Sequence, residues 1–355
     1  MNNYLATFLL ALFVTAVTTP IAIKVAPKIG AVDVPKDNRR MHKRPIPRFG
    51  GVAIYLGMLV GFFRLGEWNE QTLGLLVGAT CILVLGFADD IRGLPAKVKL
   101  VGQILCAAIL YFFTIQIRGM ANVLPWGPWY IAFPKVIAFL VTVIWIVGIT
   151  NTINLIDGLD GLAAGITCIS CLSVAYTAYV TAREVTCLLI LALAGATLGF
   201  LIWNFYPAKI FMGDAGSMLL GYLLASVSLI GDKPTKSTTL FATIIPILIL
   251  ALPIFDTAFA IVRRMAHHKP IMQADKGHLH HRIMAMGFGQ RRTVLALYSI
   301  SAIMGVAGIL WTLHVRLACA VLTLTAGMLI VIFLGIGIVH EPEEKKEDLD
   351  YHEAE

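Results

Sequence analysis

Five aspartates fall in three short clusters of an otherwise apolar chain. Asp89 and Asp90 stand together at the end of an apolar run. Asp157 and Asp160 lie in Asn154-Leu155-Ile156-Asp157-Gly158-Leu159-Asp160-Gly161, and Asp214 in Phe211-Met212-Gly213-Asp214-Ala215-Gly216-Ser217. Carboxylate, amide and water oxygens suit a hard cation, so the expected metal is Mg²⁺, with Mn²⁺ as the alternative. Mg²⁺ keeps several waters and takes one or two carboxylates plus substrate phosphates. Cysteine is absent from the clusters, which argues against structural zinc. A fourth cluster, His278-Leu279-His280-His281-Arg282, lies in a basic loop, and further Lys and Arg crowd 24–48 and 92–99. Acids for a metal beside bases for phosphate are the equipment of phosphoryl transfer, where catalysis is mostly positioning and electrostatics.

Each cluster also has a plainer reading. Asp157 and Asp160 could cap a helix, and Gly213 with Gly216 could serve helix packing. The histidines could form a polar loop, and Arg39 and Arg40 read best as topology signals. Cys168-x-x-Cys171 lies within an apolar stretch without basic neighbours, so small buried residues are expected there rather than redox chemistry.

The elements that must hold these residues are membrane helices. The chain has 355 residues, 58% hydrophobic and 14% charged, against about 45–50% and about 25% for soluble domains. Disordered, collagen-like and disulfide-scaffold classes are excluded by the same figures. A net charge of +7 then points to orientation and to anionic lipid or phosphate, not to nucleic acid. Apolar windows of about 17–25 residues mark spans. They fall near 4–25, 50–65, 72–88, 99–117, 132–149, 161–181, 185–203, 215–230, 238–262, 293–313 and 316–339. The expected fold is all-α, a polytopic bundle of about eleven transmembrane helices. Residues 1–340 would form one catalytic membrane domain and 341–355 an acidic, disordered tail.

The first span is followed, not preceded, by basic residues, the reverse of a signal peptide. Placing the N-terminus outside and alternating from there puts 21 Lys/Arg on the inner side and 7 on the outer. That agrees with the positive-inside rule and makes the C-terminus cytoplasmic. All four polar clusters then face the cytoplasm. The stretch Leu124 to Tyr130 on the other side reads as an interfacial aromatic belt. No internal repeat is evident.

At this point the chain resembles the bacterial polyprenyl-phosphate N-acetylhexosamine-1-phosphate transferases, of glycosyltransferase family 4 type. The matching stretches are Lys43-Arg44-Pro45-Ile46-Pro47-Arg48-Phe49-Gly50-Gly51, Asp89-Asp90 through Lys97-Val98-Lys99, Asn154 to Gly161, Phe211 to Gly216, and His278 to Arg282. Any one motif is weak, but five in order on one side is a strong signal. The resemblance implies a UDP-sugar donor, an undecaprenyl phosphate acceptor and a site on the cytoplasmic face of the bacterial inner membrane. It makes Asp214 the Mg²⁺ ligand at the diphosphate, with Asp89 and Asp90 near the metal and the lipid phosphate. Asn154 and Asp157 would hold substrate or metal, and Asp89, Asp90, Asp157 and Asp214 form the implied catalytic set. Asp160 would accept from uracil and Phe211 would stack on it. Lys43 and Lys99 would contact phosphate, and His280, His281 and Arg282 would position the sugar or diphosphate. A second copy of the chain is a candidate partner.

Branch choice rests on two departures. The peptidoglycan branch, which uses UDP-MurNAc-pentapeptide, carries three consecutive histidines where this chain has His280-His281-Arg282. It also carries Thr-Pro-Thr where this chain has Pro45-Ile46-Pro47-Arg48. Both departures resemble the UDP-GlcNAc branch, which initiates envelope polymers such as teichoic acids and O-antigens. The expected reaction transfers GlcNAc-1-phosphate to undecaprenyl phosphate and releases UMP. The alternatives are phospho-MurNAc-pentapeptide transfer and a cation-coupled transporter. A transporter would place ionisable groups near the bilayer midplane, not at inner helix ends.

Overall fold

The computed structural model describes residues 2–34, 45–66, 68–121, 128, 130–230, 246–266 and 278–313, and beyond them positions 320, 323, 324 and 327. Eleven bounded α-helices lie in these residues, beside a 3-10 helix at Ala26–Ile29 and a short helical stretch at 246–249. The eleven are α1 (Asn2–Val25), α2 (Gly50–Phe63), α3 (Glu70–Arg92), α4 (Ala96–Phe112), α5 (Lys135–Ile156), α6 (Leu162–Val180), α7 (Glu184–Asn204), α8 (Gly213–Leu229), α9 (Ala251–Ala266), α10 (Leu279–Ala285) and α11 (Gln290–Thr312). Two short antiparallel ribbons, which the all-helical expectation did not include, pair β1 (Val32–Asp33) with β2 (Ile46–Pro47) and β3 (Gly119–Ala121) with β4 (Tyr130–Ala132).

Six helices, α1, α3, α5, α6, α7 and α11, are long and apolar enough to cross a membrane. The protein is a polytopic, mostly helical membrane protein. Each of the first eight expected spans meets a helix, and the tenth meets α11. Helix α9 covers the second half of the ninth, and the eleventh falls almost wholly outside the described residues. Helix α4 starts three residues before its expected span and ends five before, because Thr114 takes φ 63 and turns the chain toward the β3–β4 ribbon.

Local signals explain where the helices begin and stop. Asn69 opens α3 with a reciprocal capping box, its side chain accepting from the Thr72 amide at 2.9 Å. Gly93 closes it in the left-handed region at φ 64. The chain then turns at Pro95 into α4, which brings Lys99 back beside Asp89. Pro134 opens α5, and Asp157 ends it.

Helix α8 is the central post, packed against α3, α5 and α2. All its residues are buried except one, and that one is Asp214. A helix apolar all round belongs in an interior, so its single polar opening marks where the interior meets something else.

Candidate active site

Helices α2, α4 and α8 begin, and α3 and α5 end, around that opening. The Asp214 carboxylate lies at the middle. Arg48 Nη2 donates to its Oδ2 at 3.0 Å, and Asn154 Nδ2 donates to its Oδ1 at 2.5 Å. Lys99 Nζ is 3.5 Å from the same Oδ1 and 2.6 Å from Asp89 Oδ2. Arg48 Nε reaches Asp90 Oδ1 at 3.0 Å, so one guanidinium spans two carboxylates. Asn154 also donates to Ser217 Oγ at 2.8 Å.

The two neighbouring aspartates of α3 do different work. Asp90 is sealed at 0% side-chain exposure and accepts from the amides of Asp214 at 2.8 Å and Ala215 at 3.0 Å. It thereby caps α8, whose first amides would otherwise be orphaned. Gly213 makes this approach feasible: its φ is +71, and a Cβ there would lie 2.4 Å from Asp90 Oδ2. Asp89 takes the amide of Leu94 on Oδ1 at 2.7 Å, leaving Oδ2 for Lys99.

Arg48 is held by backbone. Its amide donates to Ala31 at 2.8 Å, while Phe211 donates to Pro47 at 2.8 Å and accepts from Gly50 at 3.0 Å. These bonds stitch the β2–α2 junction to the segment entering α8. Gly51 packs directly on the α8 backbone, since a Cβ on it would meet Gly216 N at 2.4 Å. The packing reading of Gly216 therefore holds.

Asp157, at the end of α5, is the one expected site carboxylate with no hydrogen bond among the described residues. Burial pushes its pKa well above the ordinary carboxylate value. Arg48 opposes that rise, and Asp214, Asp90 and Asp160 reinforce it. Asp160 accepts from the Ala208 amide at 2.9 Å, and Asn204 accepts from Gly161 N at 3.1 Å while donating to Ile210 O at 2.9 Å. Together they suspend the segment 205–210 that leads to Phe211. Asp160 is thus seated on backbone rather than capping α6. Phe211 is half-buried, its backbone pinned as above. Lys43 lies outside the described residues.

The histidine cluster reaches this centre through Gly158. A Cβ on Gly158 would lie 2.6 Å from His280 Nε2, a buried atom with no hydrogen bond among the described residues. Burial, followed by the neighbouring His281, lowers the His280 pKa to about 3, with Asp256 opposing, so the ring is neutral. The rings of His278 and His280 stack at 5.9 Å, and those of His280 and His281 lie 4.2 Å apart. The Arg282 guanidinium sits 5.1 Å from the centre of the Phe259 ring. Asp256 of α9 anchors the start of this group: it accepts from the Leu279 amide at 2.8 Å and lies 3.1 Å from His278 Nδ1.

The sequence reading missed Arg48 and Asp256 as site residues. Arg48 had a signal, an arginine just before a glycine pair, but was counted among the loop charges. Asp256 had none, because an acid inside an apolar helix does not name its partner. Cys168 and Cys171 are free and buried, as expected of packing residues.

A divalent cation suits this chemistry. Asp89 and Asp214 offer hard oxygens, whereas Asp90, expected beside them as a ligand, is sealed against the start of α8; two cationic side chains already occupy the spaces between the acids. No group of three His, Cys, Asp or Glu side chains converges on one point among the described residues. Lodging a metal therefore requires exchange of Lys99 or Arg48, not addition to a ready cage.

Comparison with known proteins identifies relatives of the chain. Residues 72–232 match the model of "Glycosyl transferase family 4". A Bacillus subtilis protein, "Probable undecaprenyl-phosphate N-acetylglucosaminyl 1-phosphate transferase", is 41% identical over 96% of this chain and 94% of its own. A Mycobacterium tuberculosis decaprenyl-phosphate N-acetylglucosaminephosphotransferase is 34% identical over 82% of this chain and 78% of its own. A phospho-N-acetylmuramoyl-pentapeptide-transferase of Streptococcus pyogenes is 35% identical over 62% of this chain and 70% of its own. By this similarity the chain belongs to glycosyl transferase family 4 and is a phosphoglycosyl transferase of the polyprenyl-phosphate hexosamine-1-phosphate type.

Proposed function

We propose that this protein transfers GlcNAc-1-phosphate from UDP-GlcNAc to undecaprenyl phosphate at the cytoplasmic face of the bacterial inner membrane. The observation that carries this reading is the single opening in α8, where Asp214 sits between Arg48 and Lys99 with Asp89 and Asp90 behind them. The fuller relative coverage of the GlcNAc-1-phosphate transferases than of the pentapeptide transferase favours the GlcNAc donor. The same reading has about eleven spans, the N-terminus outside and the C-terminus inside.

A lipid phosphate oxygen attacks the β-phosphorus of the donor, forming a new diphosphate linkage. The bond from that phosphorus to the bridging oxygen breaks, and UMP leaves with it. Mg²⁺, when bound, supplies charge neutralisation at the diphosphate, held by Asp214 and Asp89. Asp90 keeps α8 and Arg48 in place, and Lys99 faces the phosphates. Asp160 and Asn204 hold Phe211 against the opening, where its ring offers uracil a flat face. His280, His281 and Arg282 stand on the sugar side, and Asp256 orients them.

The lipid phosphate is already anionic at neutral pH, so direct attack needs no enzyme nucleophile. Labelled UMP is therefore not expected to exchange into UDP-GlcNAc without lipid; robust exchange would instead point to an aspartyl intermediate. The donor is tested by offering UDP-GlcNAc, UDP-GalNAc and UDP-MurNAc-pentapeptide in parallel and analysing the lipid product. GlcNAc-diphospholipid as the main product is expected, and exclusive use of the pentapeptide donor would overturn the reading.

A further inference from the structure

Within the group formed by Asp89, Asp90, Asp214, Arg48 and Lys99, three negative charges face two positive ones. A nucleotide diphosphate brings at least two more negative charges, so the site without metal repels it. A divalent cation reverses the sign of the group and leaves one internal cation in surplus. The geometry identifies which one. Lys99 is the less exposed, at 21%, and its ammonium is tight against Asp89 at 2.6 Å. Arg48 is 34% exposed, its Nη1 has no partner among the described residues, and its backbone is fixed on both sides. Its two carboxylates are unequal anchors: Asp90 is sealed and held by two amides, whereas Asp214 is the open residue of α8. A planar guanidinium matches phosphate oxygens as well as it matches carboxylates.

We propose that Arg48 is an exchange residue of this site. In the metal-free protein it serves as counter-ion to Asp214. When a divalent cation takes Asp214, the side chain pivots on its Nε–Asp90 contact and presents its terminal nitrogens to the diphosphate. Arg48 thus competes with the metal and recruits the nucleotide, and it makes the two bind cooperatively. The inference rests on the diphosphate-transfer reading above, and it goes further in assigning a direction to each binding event. A static salt bridge that merely ties α2, α3 and α8 together makes the opposite forecast, since its loss would loosen every ligand.

The test is a Mn²⁺ titration of the full-length protein in detergent, read by electron paramagnetic resonance with and without UDP. Arg48→Gln is expected to bind Mn²⁺ alone about tenfold more tightly than wild type and UDP, at saturating Mn²⁺, about tenfold more weakly. Arg48→Lys keeps the ion pair and the fold should Arg48→Gln not fold. Its Mn²⁺ affinity should stay within about threefold of wild type while UDP weakens, because one ammonium cannot fork. Weakening of both ligands in Arg48→Gln, no change in either, or tighter Mn²⁺ with unchanged UDP would each overturn the proposal. So would unchanged UDP affinity in Arg48→Lys. If wild type binds neither Mn²⁺ nor UDP, the diphosphate-transfer reading itself fails, an outcome distinct from a failure confined to the variants.

Discussion

Asp157 carries a raised pKa and no side-chain hydrogen bond among the described residues, so its ionisation at this site is sensitive to pH. If its carboxylate is the working form, turnover falls on acidification well above the ordinary carboxylate range near pH 4. The expected acid limb of kcat against pH disappears in Asp157→Asn, with activity reduced about 10²-fold or more; an unchanged limb would assign the titration to another group. His280 makes a second prediction. Its pKa is lowered from 6.5 to about 3 in the folded protein, so the unfolded chain binds the extra proton between those values. Stability is full above pH 6.5 and is lost as pH falls, by about 2 kcal/mol at pH 5. Unfolding measurements on His280→Gln should show that much less loss between pH 7 and 5, and equal slopes would contradict the buried neutral ring. The acids, Asn154 and the histidines were legible as residue types because a charge or imidazole in an apolar chain needs a reason. Their partners were not. That Asp90 caps α8 while Asp89 faces Lys99 depends on the rotation of α3 by one residue, which no spacing rule contains.

Helix ends carry the site, and two contacts set their spacing. The first is Gly51 on Gly216, where backbone meets backbone. Gly51→Ala should separate α2 from α8, cost about 1–3 kcal/mol in stability, and displace Arg48 from Asp214. Full activity and an unchanged melting temperature would show that the junction yields without consequence. The second is Asp256, which holds the start of α10 through the Leu279 amide and His278. Asp256→Ala should lose about 1.5–3 kcal/mol for the charged hydrogen bonds and raise KM more than it lowers kcat, since the histidines lose position rather than chemistry. Asp256→Asn, which keeps one acceptor, should recover part of that loss. The helices themselves were readable from hydropathy alone, as lipid demands that each span satisfy its own backbone. The ribbons were not: two- and three-residue strands leave no periodicity to find.

At the scale of the molecule, the alternation of helices brings the ends of α3 and α5 and the starts of α2, α4 and α8 to one surface. Among the described residues, the contacts at the other ends include Arg183 on the Ile230 carbonyl and Arg64 on Asn3, and neither pair includes a site residue. A water-soluble diphosphate donor and a membrane-embedded phosphate acceptor can meet only where such a bundle opens at an interface. In the proposed reaction Asp214, at that opening, works with a divalent cation on both substrates. The direct test follows UMP release by purified protein given undecaprenyl phosphate and UDP-GlcNAc, with Mg²⁺ or with chelator, beside Asp214→Asn. UMP formation that requires lipid, metal and Asp214 together is the predicted result. UMP formation that survives chelation or the Asp214→Asn change, or its absence with every hexosamine donor, would contradict the account.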